Sequence, residues 1–136
     1  NELYRIRHMY TLVVHELAVE DLKALRQRDR YAFNKLTAFL DEARGDQELL
    51  ELLLHVGEHH GSFQVKPFET LWNEKRDISI IRHLEVHSTR IIYAYDRNHQ
   101  RFYVLAFMDR SQDYNKDIAL MRRLRNTYDE CGIKNL

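Results

Sequence analysis

The chain has 136 residues, the size of a single compact domain. Apolar residues make up 44%, enough for one core, and with 4 glycines and 1 proline the composition is not that of a disordered linker. One cysteine excludes an intrachain disulfide framework, and no stretch reaches the ~18 apolar residues of a membrane span. The N-terminus lacks the pattern of a secretory signal. We therefore expect one domain over residues 1–136, located in the cytoplasm and without a membrane partner.

The charges balance overall but are unevenly distributed. There are 21 Lys and Arg against 21 Asp and Glu, so the whole molecule is not basic like a typical nucleic-acid-binding domain. Residues 75–125, however, hold 11 basic side chains against 6 acidic ones, and 9 of the 11 are arginine, whose planar guanidinium matches phosphate oxygens. This asymmetry is compatible with a surface that faces a polyanion and equally with an ordinary solvated face.

The first half of the chain predicts one strand followed by helices. Residues 9–15 are β-branched and aromatic, which favours a strand. Residues 16–44 carry apolar side chains at helical spacing, and the wholly polar run 26–30 predicts the turn of a helical hairpin. Gly45 suits a helix C-cap and Asp46 an N-cap, so a further helix is expected to about Val56.

The second half predicts a sheet and a last helix. After a loop over 57–61, the segments 63–68, 78–86, 89–95 and 101–108 have the pattern of strands joined by short links, as in an antiparallel meander. Residues 116–130 return to helical spacing. The predicted fold class is α+β, with a helical hairpin and additional helices packed on a small, mainly antiparallel sheet.

Of four familiar catalytic patterns, two lack the context that they require and two are absent. His55, Glu58 and His59 match the H-x-x-E-H zinc-peptidase pattern, but Gly57 within it disfavours the helix that the pattern requires. Cys131 has no defined base nearby in sequence. The phosphate-binding loop of nucleotide hydrolases and the dinucleotide fingerprint are both absent. We therefore expect neither a metal nor another cofactor.

Basic and aromatic residues on or beside the predicted strands form the candidate site. Its members are Lys66, Lys75, Arg76, Arg82, Arg90, Arg110 and Tyr114. Several fixed cations on one face of a sheet could neutralise a phosphate and the added charge of its transition state, which would support metal-free cleavage of RNA through its 2′-hydroxyl. Structural ion pairs on a sheet are the alternative interpretation.

Four short motifs resemble those of the RelE/ParE toxin superfamily, the toxic halves of bacterial type II toxin–antitoxin pairs. They are DLKAL at 21–25, IRHL at 81–84, TRIIY at 89–93 and VLAFMDR at 104–110, the last followed by Tyr114. The resemblance extends over about residues 9–118, and the order and spacing of the motifs carry most of it. It implies a RelE/ParE-like fold, here with an extended C-terminal helix at about 116–130.

The resemblance also implies roles for individual residues. Arg90 corresponds to the arginine that contacts the scissile phosphate, Arg110 to the one that stabilises the transition state, and Tyr114 to the aromatic that stacks on or orients the base. Arg82 corresponds to a further motif arginine. Lys66, Lys75 and Arg76 do not align closely with a family motif, and we expect them to bind RNA together with Arg82 because they are close to it in sequence. Asp109 stands where the family usually has histidine.

The function implied is that of a metal-independent endoribonuclease that cleaves mRNA on translating ribosomes and so inhibits translation and growth. Its partners would be mRNA, the ribosome and a cognate antitoxin that covers the cationic surface with an acidic, partly disordered segment. No residue stands out as the general base, for which a lysine or a tyrosine is the candidate. Two alternatives stay open: a ParE-like inhibitor of DNA gyrase without nuclease activity, and a non-toxic, phage-related member of the fold.

Overall fold

The computed structural model describes residues 9–112 and 116–134, which form five helices and one six-stranded open sheet. In chain order the elements are β1 (Thr11–Val14), α1 (Glu16–Arg28), α2 (Arg30–Arg44), α3 (Gln47–Leu52), β2 (His59–His60), β3 (Phe63–Pro67), α4 (Glu69–Asn73), β4 (Ile78–His83), β5 (Thr89–Asp96), β6 (Arg101–Asp109) and α5 (Ile118–Glu130). The predicted α+β class is confirmed. No helix within these residues is long and apolar enough to cross a membrane.

The sheet is mostly antiparallel, and its strand order is β1-β6-β5-β4-β3-β2. Each neighbouring pair from β2 to β6 is antiparallel, as the short connections predict. The exception is β1, which lies parallel to β6 and pairs Thr11 with Arg101 and Val14 with Val104. The first strand of the chain is therefore placed beside the last one.

Side-chain caps define the helical hairpin. Asp29 ends α1 and accepts a hydrogen bond from the Ala32 N–H at 3.1 Å, which caps α2. Asp46 caps α3 in the same way. Helix α3 ends at Leu52, before the expected Val56, because the following amides bond three residues back and tighten the chain into turns.

Two short elements differ from the sequence-based prediction. His59–His60 form β2 beside β3, where a loop was expected, and Glu69–Asn73 form α4, which was not predicted. Both are too short for a periodic pattern to emerge from the sequence. Strand β4 also ends earlier than expected, at His83, because the Val86 N–H donates to the His83 carbonyl and turns the chain.

The sheet carries a different core on each face. The first face packs against α1, α2 and α3 through a cluster that includes Leu25, Leu36, Phe39, Tyr93 and Phe102. The second face packs against α4 and α5 through a cluster that includes Leu71, Ile80, Ile92, Met121 and Leu124. Because successive strand residues point to opposite faces, the two clusters assign a face to each residue of the central strands.

A salt bridge joins α1, β6 and α5 beyond the end of β1. Arg123 donates to both carboxylate oxygens of Asp21, at 3.0 and 2.7 Å. The same carboxylate accepts from the Phe107 N–H at 3.0 Å, and Arg123 donates to the Leu105 carbonyl at 3.0 Å. Since β1 stops opposite Val104, these two side chains bond to backbone groups of β6 that β1 does not reach.

Buried His83 should make folding stability depend on pH. Its ring lies on the first face, 5.7 Å from the Phe39 ring, and burial lowers its pKa; nearby Lys35 lowers it further and Glu85 opposes the shift. The unfolded chain then binds the proton more readily, so stability is complete above the ordinary histidine pKa of ~6.5 and falls as the pH drops below it. Urea unfolding at a series of pH values measures this loss.

Two matched variants distinguish the contribution of His83 to the pH dependence of stability from that of an exposed histidine. His83→Leu should flatten the pH dependence between about pH 6.5 and 5, whereas His87→Gln, which changes an exposed histidine, should leave it as it is. An unchanged slope in His83→Leu would contradict this assignment.

Candidate functional site

Arg82 and Arg90 share the second face of the sheet. Strands β4 and β5 are paired up to Ile81 and Ile91, and Arg82 and Arg90 are the next residues on their strands. Alternation places both side chains on the second face, whereas His83 lies on the first. Both arginines are half-buried. Two guanidinium groups are thus held on neighbouring strands at one end of the sheet.

Two further cations lie at this end. Lys66 of β3 is paired with Ile80, so its side chain is also on the second face, and it is exposed. Arg110 follows the last residue of β6, and its N–H donates to the Ser88 carbonyl at 2.9 Å, just before β5 begins. We call Lys66, Arg82, Arg90 and Arg110 the cationic end.

The cationic end borders the part of the second face that α5 covers. Leu120, Met121 and Leu124 of α5 pack on the apolar residues of this face, among them Ile80 and Ile92. The cations lie further along the same strands or on a strand beside them. A ligand could therefore approach them without displacing the core under α5.

Lys75 and Arg76 are not brought to the cationic end. They precede β4, and Arg76 lies six residues from Arg82, which corresponds to about 20 Å along an extended strand. Arg76 is bonded to both carboxylate oxygens of Asp129, at 3.2 and 3.0 Å, and these bonds raise its pKa. Arg76 therefore ties the end of α5 to the segment before β4.

Tyr114 lies outside the described residues, in the gap between Gln112 and Lys116. Its role in orienting a base therefore stays a prediction from the sequence.

The turn between α1 and α2 adds basic residues that the sequence patterns did not assign to the site. The Ser88 hydroxyl donates to Asp29 at 3.1 Å, which places this turn beside the start of β5. Arg28 and Arg30 flank Asp29 and are exposed. The run of charge at 26–30 was visible in the sequence, but nothing in it indicated contact with a residue 59 positions away.

Asp109, which stands where the RelE/ParE motif has histidine, is an ionised hydrogen-bond acceptor. The backbone N–H and the hydroxyl of Ser111 both donate to its Oδ1, at 2.8 and 2.7 Å. These bonds, together with the charge of Arg28, lower the pKa of Asp109. An anionic Asp109 beside Arg110 orders the turn and is poorly suited to donate a proton at neutral pH.

A cluster of possible metal ligands is already engaged in other interactions. His15, Glu16 and Glu130 place their ligand atoms within 4.8 Å of one another. The Nδ1 of His15, however, accepts from the Leu17 N–H, so a neutral ring carries its proton on Nε2, which faces Glu130 at 3.6 Å. A metal bound through either ring nitrogen would have to displace that proton or break the N-cap of α1.

The zinc-peptidase pattern lacks the helix that it needs. His55 lies in the turns after α3 and His59 in β2, so the two rings do not share a helical face. Cys131 is equally unsuited to act as a nucleophile, because burial raises the pKa of its thiol to about 11 and keeps it protonated.

Comparison with known proteins does not assign the chain to a family. No family model, curated protein or solved structure matches the chain.

Proposed function

We propose that the chain is a toxin of the RelE/ParE kind, a metal-independent endoribonuclease that cleaves mRNA on translating ribosomes. The observation that carries the proposal is the placement of Arg82 and Arg90 side by side on one sheet face, with Arg110 at the same end. The element order, a strand, a helical hairpin, a run of strands and a last helix, supports the same assignment.

The proposed reaction is transfer of the phosphoryl group to the neighbouring 2′-hydroxyl of the RNA. The 2′-oxygen attacks phosphorus, the 5′-oxygen of the next nucleotide leaves, and the products are a 2′,3′-cyclic phosphate and a 5′-hydroxyl. Arginines at the cationic end offset the charge that builds up on the non-bridging oxygens, and their planar forks bond to two oxygens at once. A general base, for which a lysine or a tyrosine is the candidate, takes the 2′-hydroxyl proton, and the protonated base or water gives a proton to the leaving 5′-oxygen.

The proposed protein partner is an antitoxin with an acidic segment. Such a segment would pair with the cationic end and become ordered on contact, which would exclude RNA from the same surface. The whole chain is neutral, so this attraction would be confined to the end of the sheet where the cations are concentrated.

Induced expression in a bacterial host should stop growth and leave mRNA with new internal ends. The double variant Arg90→Ala/Arg110→Ala should restore growth at equal protein level, because it removes two of the cations proposed to surround the scissile phosphate. Growth curves and mapping of RNA 5′ ends measure both effects.

Arg122→Ala is the matched control, since Arg122 is an exposed arginine of α5 that is not among the cations proposed to bind RNA. It should remain as toxic as the unaltered chain. Growth arrest with intact mRNA and accumulating DNA breaks would instead favour gyrase as the target. Growth without arrest would contradict both forms of the toxin proposal.

A further inference from the structure

A cavity of about 400 Å³ opens on the first face of the sheet, whereas the side chains of Lys66, Arg82 and Arg90 lie on the second. Its apolar wall is formed by Leu53, Leu54, Val56, Trp72, Tyr93 and Tyr95. A volume of this size and a mainly apolar, aromatic wall are typical of pockets for small molecules. The cavity is therefore large enough for one aromatic side chain.

The floor of the cavity offers hydrogen-bond acceptors. Ser79 and Tyr93 are nearly fully buried and paired on adjacent strands. The Tyr93 hydroxyl donates its single proton to the Leu53 carbonyl at 2.5 Å, so this oxygen can only accept a further hydrogen bond. The Ser79 hydroxyl lines the same floor. A hydrogen-bond donor that reaches the floor therefore finds acceptor lone pairs on both hydroxyl oxygens.

The mouth of the cavity carries one charge of each sign. A nitrogen of the Arg97 guanidinium lies 4.0 Å from a carboxylate oxygen of Asp77, too far for a hydrogen bond between them. Arg97 is largely exposed and Asp77 about one-third exposed, whereas Ser79 is buried below them. An anion beside a cation at this spacing complements the ammonium and carboxylate groups that an α-amino acid carries on one carbon.

We propose that this cavity binds a free aromatic amino acid whose side chain ends in a hydrogen-bond donor, namely tyrosine or tryptophan. The ring packs against Trp72 and Tyr95, the donor at its tip bonds to Ser79, and the charged head group lies beside Asp77 and Arg97, with its ammonium toward the carboxylate and its carboxylate toward the guanidinium. Phenylalanine fills the apolar wall equally well but leaves Ser79 without a donor, so it binds more weakly. This inference is independent of the nuclease proposal, since it concerns other residues on the other face.

Trp72 is the only tryptophan of the chain, so its fluorescence reports on this cavity directly. The probe is L-tyrosine, with excitation at the red edge of the tryptophan band, where tyrosine does not absorb. We expect a saturable change in emission. L-phenylalanine, tyramine and desaminotyrosine each lack one of the three matched groups and should bind about tenfold more weakly or worse.

Two variants test the floor and the mouth separately. Ser79→Ala should remove the preference for tyrosine over phenylalanine. Arg97→Gln alters an exposed side chain, so the variant is expected to fold. It should bind L-tyrosine more weakly than the unaltered chain does, and its affinity for tyramine, which has no carboxylate, should be unchanged. Arg122→Gln is the control and should bind L-tyrosine as the unaltered chain does. No saturable change, equal affinity for all four compounds, or unaltered selectivity in Arg97→Gln would each overturn the proposal.

Discussion

Replacing Arg110 by alanine is expected to slow single-turnover cleavage of mRNA on a programmed ribosome by ~10²–10³, as for the loss of one preorganised donor at a developing oxyanion. Arg110 is exposed, and what fixes its position is a backbone bond, from its N–H to the Ser88 carbonyl. Truncating its side chain should therefore leave the fold intact, so that the rate reports on the reaction alone.

Comparing lysine with alanine at position 110 separates the effect of the positive charge from that of the planar guanidinium geometry. Arg110→Lys keeps the positive charge but loses the planar two-point contact with phosphate, so its rate should lie between those of the alanine variant and the unaltered chain. Arg90→Ala should be impaired to a similar extent, whereas Arg122→Ala should cleave at the full rate. Full activity in Arg110→Ala would show that this arginine has no part in the chemistry.

The central strands could be predicted from the sequence because their pattern is local. The segment TRIIYAYD is β-branched and aromatic, and it forms β5. The same alternation predicts that Arg82 and His83 point to opposite faces, and the two cores agree. The parallel pairing of β1 with β6 has no such signal, because it joins residues about 90 positions apart.

The candidate site likewise has features that follow from local sequence patterns and features that depend on residues distant in sequence. Placing Arg82 and Arg90 on one face needs only the period of a strand and a short connection between β4 and β5. The ion pair of Arg76 depends on Asp129, 53 residues away, so nearness in sequence to Arg82 was misleading. The contact between Asp29 and Ser88 is equally non-local. Sequence patterns thus found the cations on the strands but could not indicate that Arg76 is held in an ion pair with Asp129.

Asp21 illustrates how a motif residue can serve the fold rather than the reaction. It begins the stretch 21–25 on which the family resemblance partly rests, yet its carboxylate is bonded to Arg123 and to the Phe107 N–H. Asp21→Ala would leave the Phe107 amide without its acceptor and the guanidinium with only the Leu105 carbonyl, in a partly buried position where the Nε of Arg123 already has no partner among the described residues. Removing one partner of such a pair costs more than the pair itself contributes, because the remaining charge stays desolvated.

We therefore expect Asp21→Ala to lower the free energy of unfolding by about 3 kcal/mol, and the Tm by about 10 °C, in urea and thermal unfolding. The matched control is Asp41→Ala, which removes an exposed carboxylate 3.9 Å from Arg44 and should cost under about 0.5 kcal/mol. Arg123→Met tests the same contact from the other side. Because each single change leaves one partner uncompensated, the double variant Asp21→Ala/Arg123→Met should cost less than the sum of the two single changes. Additive losses would mean that Asp21 and Arg123 act independently, and that the edge of β6 beyond Val104 is not held by their pairing.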